Sequence, residues 1–268
     1  MRIERDRTPL GLDGAAHRAA LIWNRVKLAR RLAASKLADN PHLRSISRDA
    51  SWDALLAGSV DFFRRTLEPC RDEFTWPLSF YFNGFFEIGD LEMYHAMIRR
   101  FHPRTVIEVG SGWATRAALE AIRRNGTGRL LCIDPEPRHG LPRAVEYRRA
   151  FVERVELELF DTLEANDILF IDSSHTAEEA AYHVQTILPR LKPGVYVHHH
   201  DIFYPYAPLY GEEEVLRRYY GTAASAFDLC CGLAFVRERD PDLWRALCPR
   251  SRLFPQQVPG SLWSRKRG

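Results

Sequence analysis

One glycine-containing turn constrains this chain of 268 residues more than any other feature. Residues 106–109 are a β-branched run that carries one acid, and Gly110-Ser111-Gly112 follows at once, before a segment with the pattern of a helix. Glycine lacks a Cβ atom, so the backbone can turn sharply here and a ligand can approach it closely. The free N–H groups at the start of the next helix are donors for an acceptor on that ligand. The pattern predicts a strand, a ligand-binding turn and a helix.

Short apolar runs then alternate with helical segments along the rest of the chain. Because the runs are almost continuously apolar, we expect strands that are covered on both faces, as in a parallel sheet. The sequence therefore predicts an α/β fold with a doubly wound, mostly parallel sheet. The predicted strands are 105–109, 130–133, 168–171, 195–199 and 227–231, and the predicted helices between them include 115–124 and 177–191.

The N-terminal part has a different composition. Residues 1–48 contain 11 Lys and Arg against 4 Asp and Glu, whereas the remainder contains 27 against 31. Apolar residues recur every three or four positions near 15–37, which predicts a basic amphipathic helix. A second helix is predicted to begin after Ser51 and to run through Leu67. We expect an N-terminal helical extension over 1–74 and the α/β domain over 75–268. The basic helix is interpreted as a packing arm or homodimer contact, with a membrane-surface or partner-binding element as the alternative.

Composition also limits the class of protein. The basic excess is confined to the N-terminal part, so we expect no nucleic-acid groove across the domain. The five cysteines have no CxxC spacing, which argues against a disulfide framework or a structural zinc site. No apolar run is long enough for a transmembrane segment, and no signal-peptide pattern is present, so we expect a cytoplasmic protein.

An acidic residue follows the next predicted strand. Asp134 lies 22 residues after Gly112, where a carboxylate can accept both hydroxyl protons of a ribose. A dinucleotide fingerprint would place a third glycine at 115, but this chain has Thr115. Glu108, just before the turn, suits a cationic ligand better than a diphosphate. The ammonium and sulfonium of S-adenosylmethionine match that requirement.

Four motifs in order carry a resemblance to a known family. They are the run 108–115, then Cys132-Ile133-Asp134-Pro135, then 167–175 and finally 191–202. The chain resembles the class I S-adenosylmethionine-dependent methyltransferases, and more narrowly the bacterial branch often labelled methyltransferase family 24. The likeness extends from about Tyr81 to the C-terminus, where residues 259–263 resemble the closing strand of that branch. It implies a Rossmann-like domain.

The resemblance also implies roles for individual residues. The methionine end of the cofactor would be lined by Glu108, Gly110, Ser111 and Gly112. Asp134 would hold the ribose, and Asp172 belongs to the same cofactor-binding set. Val152 and Glu153 match the stretch that borders the adenine, although related sequences usually have an amide and an acid where this chain has Glu153 and Arg154.

Acids and histidines follow two of the predicted strands. Asp172 and His175 come after one strand, and His198-His199-His200-Asp201 ends another, so both sets should meet at the carboxyl edge of the sheet. His175 and His200 are the candidate catalytic bases, and Asp201 would orient or assist them. Strand alternation should send His198 and His200 to one face and His199 to the other.

A divalent metal is a further possibility at this cluster. Asp172 and Asp201 match two acidic ligand positions of the catechol-type methyltransferases, but the third position is Ile202 instead of an amide. Histidines could complete a site, and they would favour a transition metal over magnesium. Metal dependence stays open at this point.

The function predicted from these features is O-methylation of a small hydroxylated acceptor, either a sugar or a secondary metabolite. N-methylation would use the same residues. Aromatic residues within 201–206 and 81–86 are candidates for the acceptor wall and a lid, and we expect at least half of them to be core. The alternatives are a nicotinamide-dependent oxidoreductase, against which Thr115 and the lack of a Tyr-x-x-x-Lys pair both count, and a non-catalytic cofactor-binding scaffold.

Overall fold

The computed structural model describes residues 46–137, 140–222 and 225–268. The predicted basic helix near 15–37, and with it the expected homodimer contact, lies outside these residues.

Within the described residues, seven strands form one sheet in the order β3-β2-β1-β4-β5-β7-β6. Strands β1 to β5 pair in parallel, whereas β7 is antiparallel to both of its neighbours. This arrangement confirms the predicted mostly parallel sheet. The strands are β1 Thr105–Val109, β2 Arg129–Ile133, β3 Glu146–Arg148, β4 Ile168–Ile171, β5 Tyr196–His199, β6 Phe227–Gly232 and β7 Leu262–Lys266.

Helices cover both faces of the sheet, so the alternating residues of each central strand enter two separate cores. On β1, for example, Val106 packs into one hydrophobic cluster while Ile107 packs into the other. The α-helices are α1 Ala50–Leu55, α2 Ser59–Leu67, α3 Leu78–Tyr81, α4 Asp90–Phe101, α5 Trp113–Asn125, α6 Glu158–Asp161, α7 Ala177–Tyr182, α8 Gly211–Gly221, α9 Leu233–Arg239 and α10 Pro241–Leu247.

Two predicted helices differ from the observed ones. The helix expected from Ser51 to Leu67 is divided into α1 and α2 by a turn that contains Gly58. The helix expected over 177–191 continues past α7 as a π-helical turn, His183–Ile187, and then as a 3-10 turn, Leu188–Arg190. Pro189 lies in that last turn, and because it has no backbone N–H it cannot continue the α-helical hydrogen bonding.

The described part of the N-terminal region, residues 46–74, packs against the sheet. Phe63 and Leu67 are fully buried in one core, and the Phe63 ring lies 5.5 Å from the ring of Trp244. Trp52 is buried in the other core and donates its indole N–H to the backbone oxygen of Arg217. Among the helices of the described residues, none is long and apolar enough to cross a bilayer.

Candidate functional site

The carboxyl ends of four parallel strands meet at one edge of the sheet. The glycine turn follows β1, Asp134 follows β2, Asp172 follows β4, and His200 follows β5. Since parallel strands direct all these ends to the same side, residues that are far apart in sequence become neighbours there. The expected grouping of the acids and histidines at this edge is what the structure has.

The glycine turn packs tightly on the loop after β4. Gly110 has φ +92°, and a Cβ atom added to it would lie 1.8 Å from the backbone oxygen of Asp172. Its N–H donates to the backbone oxygen of Ile133 at 2.9 Å. Gly110 is therefore required both by its left-handed backbone conformation and by the lack of space for a side chain.

The hydroxyl of Ser111 links the turn to the end of β2. It donates to Oδ2 of Asp134 at 2.6 Å, and the backbone N–H of Glu136 donates to Oδ1 at 2.8 Å. Asp134 is 9% exposed. A carboxylate oxygen can accept two hydrogen bonds, so the Asp134 side chain retains acceptor capacity for hydroxyl donors.

Glu108 lies beneath the turn and has no exposed surface. Its Oε1 accepts the hydroxyl of Tyr94 at 2.8 Å, and its Oε2 accepts the hydroxyl of Thr115 at 2.6 Å and the thiol of Cys132 at 3.1 Å. Burial raises the pKa of Glu108 to about 7, although the three hydrogen bonds act in the opposite direction. The carboxylate is thus turned into the core and not toward the edge where a ligand would bind.

The two residues expected beside the adenine lie in the 3-10 turn Val152–Arg154. Val152 is 3% exposed and packs in the core, whereas Glu153 is on the surface. The two side chains therefore lie in different environments.

Three carboxylates surround His175. Its Nδ1 lies 2.8 Å from Oε2 of Glu212, and its Nε2 lies 3.4 Å from Oδ1 of Asp172 and 3.5 Å from Oδ2 of Asp201. Both His175 and Asp201 have φ of 58°. Non-glycine residues in this left-handed region are uncommon and concentrate where function maintains the strain.

The charges of this cluster set the protonation of its members. Burial lowers the pKa of His175, but contacts with Asp172, Glu212 and Asp201 outweigh burial and raise it to about 11. Burial likewise raises the pKa of Glu212, but its contacts with His175 and His199 lower it to about 2. At neutral pH the cluster therefore contains a protonated His175 held by ionised Glu212.

The three consecutive histidines alternate as expected. The rings of His198 and His200 are 5.8 Å apart on one face, where both pack near Phe86, while His199 packs on Tyr220 on the other face. Nε2 of His198 is 2.9 Å from the hydroxyl oxygen of Ser261. Nε2 of His200 is 3.4 Å from Oδ1 of Asp201, and its buried Nδ1 has no hydrogen-bond partner.

The donor set does not fit the three-ligand metal site that the resemblance suggested. Within 46–137, 140–222 and 225–268, no three His, Cys, Asp or Glu side chains are grouped to hold a metal ion. Nε2 of His175 lies between the carboxylates of Asp172 and Asp201, so this nitrogen takes the place next to both acids that a shared cation would need. The third ligand position is Ile202, which is buried and has no donor atom.

Most of the aromatic residues expected at an acceptor wall or lid are core residues. Phe203, Tyr204 and Tyr206 are at most 8% exposed, and Tyr81, Phe82 and Phe86 are equally buried. Aromatic side chains bury a large apolar surface, which explains their place in the core. Phe85 differs from them, because it is 51% exposed.

The sequence did not indicate two residues of this site. Glu212 reaches His175 from α8, 37 residues further along the chain. Tyr210, 43% exposed, places its ring 5.2 Å from the ring of His175. The aromatic and acidic residues of 210–214 were visible in the sequence, but nothing in their spacing connected them with His175.

Known sequences resemble part of the chain. A family described as a methyltransferase domain matches residues 107–202. An uncharacterized protein of Archaeoglobus fulgidus is 34% identical over 94 residues, which are 32% of this chain and 42% of that protein. The chain therefore spans less than half the length of the curated relative that it matches.

Several solved structures overlap this chain at low identity. The O-methyltransferase TomG from Streptomyces achromogenes has a TM-score of 0.45 at 14% identity, over 83% of this chain and 92% of that one. A putative O-methyltransferase from Klebsiella pneumoniae has a TM-score of 0.48 at 12% identity, over 85% and 100%. The family match over residues 107–202 shows that this part of the chain is similar to a methyltransferase domain, and it contains the glycine turn, in which Ser111 contacts Asp134.

Proposed function

We propose that the protein methylates a hydroxyl group of a small acceptor, a sugar or a secondary metabolite. The observation that carries the proposal is the contact between Gly110 and the backbone of Asp172, where no Cβ atom would fit. This contact joins the donor-binding turn directly to the loop that holds the acid and histidine cluster. A methyl group on the donor side is then within reach of an acceptor bound at the cluster, and such positioning is the main requirement for methyl transfer.

The donor would bind through the residues at the turn and the end of β2. Gly110, Ser111 and Gly112 would face the methionine end, and Asp134 would accept the ribose hydroxyls beside the bond from Ser111. Val152 would supply an apolar contact for the adenine, because it is the buried member of its turn. Asp172 would lie between donor and acceptor.

In the reaction, an oxygen lone pair of the acceptor attacks the methyl carbon while the carbon–sulfur bond breaks. The sulfonium becomes a thioether, and the hydroxyl proton must go to a base. We assign that role to His200 paired with Asp201, since Nδ1 of His200 has no partner and Nε2 faces the Asp201 carboxylate. The surrounding carboxylates raise the pKa of His175 to about 11, so it is protonated at neutral pH and would orient Asp172 and Asp201. Burial lowers the pKa of His200, but Asp172, Asp201 and Asp90 outweigh burial and raise it, so His200 would accept the proton in its neutral form.

Calorimetric titration with S-adenosylmethionine tests the proposal first. We expect micromolar binding to the wild-type protein, no binding of NAD, and the same affinity with or without EDTA, because the donor set does not fit a metal. Loss of binding in EDTA would indicate that Asp172 and Asp201 are metal ligands. A folded protein that binds NAD and not S-adenosylmethionine would favour the oxidoreductase.

Two variants separate binding from turnover. Asp134→Ala should weaken donor binding at least about tenfold, since it removes the ribose acceptor. His200→Ala should bind the donor normally but lower turnover by about a hundredfold or more, as expected for loss of a general base. Turnover is measured as transfer of a labelled methyl group to a panel of sugars and phenols, with the surface variant His102→Ala as control.

The assigned roles would be wrong if both variants lost binding equally while their circular dichroism stayed native. Binding without any transfer, unchanged in His175→Ala and His200→Ala, would instead favour a cofactor-binding scaffold.

A further inference from the structure

The buried pair Glu108 and Thr115 connects the core to the glycine turn. The Thr115 hydroxyl donates to Oε2 of Glu108 at 2.6 Å, and its oxygen accepts the backbone N–H of Gly112 at 3.0 Å. Both side chains are fully buried. Two consecutive hydrogen bonds therefore run from a carboxylate under the sheet edge to the peptide of the turn.

This connection fixes the orientation of one peptide plane. The N–H of Gly112 points at Thr115, and in a planar trans peptide the carbonyl of Ser111 points the opposite way, away from the buried pair. The same peptide follows Ser111, whose hydroxyl is bonded to Asp134. A change in the direction of this peptide would therefore displace both the turn and the contact between Ser111 and Asp134.

We infer that Glu108 and Thr115 are positioning residues for the binding of S-adenosylmethionine. Glu108 holds Thr115, and Thr115 holds Gly112, without contact between either side chain and the ligand. The inference rests on the proposed donor-binding function. It differs from the expectation that Glu108 lines the methionine end. It also gives a purpose to the side chain at position 115, where a dinucleotide-binding turn would have glycine.

Tyr94 provides the matched control. Its hydroxyl donates to the other oxygen of Glu108 at 2.8 Å and makes no bond with the turn. Tyr94→Phe and Thr115→Val each remove one hydroxyl from the same buried carboxylate. Thr115→Val alone also removes the acceptor for Gly112, and Thr115→Ser retains it.

The experiment is calorimetric titration of each variant with S-adenosylhomocysteine, together with thermal unfolding. We expect Thr115→Val to weaken binding about tenfold or more, and Thr115→Ser and Tyr94→Phe to remain within about threefold of the wild type. Thr115→Val and Tyr94→Phe should lower the unfolding temperature similarly, so a merely structural role would not produce the difference in affinity. Wild-type affinity in Thr115→Val, or an equal loss in Tyr94→Phe, would overturn the inference.

Glu108→Gln gives a second test that does not depend on whether Thr115→Val folds. It is titrated with S-adenosylhomocysteine and with 5′-methylthioadenosine, which lacks the ammonium group. If Glu108 acts through the turn, Glu108→Gln should lower the affinity for both ligands by similar factors, because the Ser111–Asp134 contact serves the ribose of each. A loss of affinity for S-adenosylhomocysteine alone would show that Glu108 contacts the ammonium group directly, and it would overturn the inference. Failure of the wild type to bind S-adenosylhomocysteine would instead refute the proposed function.

Discussion

At the scale of single residues, Gly110 and Gly112 belong to the same turn but have different physical requirements. Gly110 has φ +92° and no room for a Cβ atom beside Asp172, whereas a Cβ atom on Gly112 would meet nothing within 4 Å. The backbone of Gly112, with φ 172°, is extended. We expect Gly110→Ala to lower the free energy of unfolding by more than about 2 kcal/mol.

Gly112→Ala is the matched variant, and it should change the free energy of unfolding by less than about 1 kcal/mol. If the donor approaches this backbone closely, Gly112→Ala should still weaken the binding of S-adenosylmethionine. Urea denaturation and calorimetric titration of both variants measure the two effects. Equal stabilities of the two variants would contradict the role assigned to Gly110.

Glu108 makes stability depend on pH. Burial raises the pKa of its carboxyl from 4.5 to about 7, so the folded state holds the proton more tightly than the unfolded state does. The stabilisation that protonated Glu108 gives the folded state is therefore complete below about pH 4.5 and is lost as the pH rises through 7. Between pH 5 and pH 8 the wild type should lose on the order of 2–3 kcal/mol relative to Glu108→Gln.

Urea denaturation of both proteins at the two pH values measures this change. Asp90 and Glu92 also have raised pKa values from burial. Because both proteins contain these two groups, only the difference between the proteins reports on Glu108. A difference that stays constant from pH 5 to pH 8 would show that the carboxyl titrates as it does in the unfolded chain.

At the scale of secondary-structure elements, a buried carboxylate at the start of α4 binds the segment that leads into β7. Oδ1 of Asp90, at the start of α4, accepts the N–H of Ser261 at 2.9 Å and its hydroxyl at 2.6 Å, just before β7 begins. Gly260 donates its N–H to Oδ2 at 3.3 Å. One side chain thereby sets where the antiparallel strand enters the sheet.

Asp90→Ala should lower the free energy of unfolding by about 3 kcal/mol or more, because it leaves several buried donors without an acceptor. Asp161→Ala is the surface comparison. It removes the partially exposed ion pair with Arg190 and should cost less than about 1 kcal/mol. Chemical denaturation compares the two, and similar costs would mean that Asp90 is not the anchor of β7.

At the scale of the whole molecule, the described part of the N-terminal region and the sheet share a core. Phe63 is fully buried against Trp244, so Phe63→Ala should cost about 3–5 kcal/mol. Leu55→Ala, at a side chain that is 39% exposed, should cost less than about 1 kcal/mol. The expected domain boundary at residue 75 stays a prediction, which these variants test by asking whether residues 46–74 unfold together with the sheet.

Unfolding followed by far-ultraviolet circular dichroism and by tryptophan fluorescence should give one coincident transition for Phe63→Ala. Two separated transitions, with the sheet intact after the first, would show that residues 46–74 fold independently of the domain.

The sequence determined the sheet and the place of the site. The runs that became β1, β2, β4 and β5 were predicted nearly to the residue, because a strand buried on both faces must be apolar throughout. Asp134, Asp172 and Asp201 could be placed together because parallel strands present their carboxyl ends at one edge.

The tertiary structure decided which side chains meet at that edge. The pairing of Glu212 with His175 depends on how α8 returns over the sheet, and no local pattern encodes a contact 37 residues apart. From the sequence, Glu108 was expected to face a cationic ligand. Its position beside the turn does not show whether the side chain points to a ligand or into the core. Only the packing of α4 and α5 put Tyr94 and Thr115 around it, so that its carboxyl group lies in the core beneath the glycine turn.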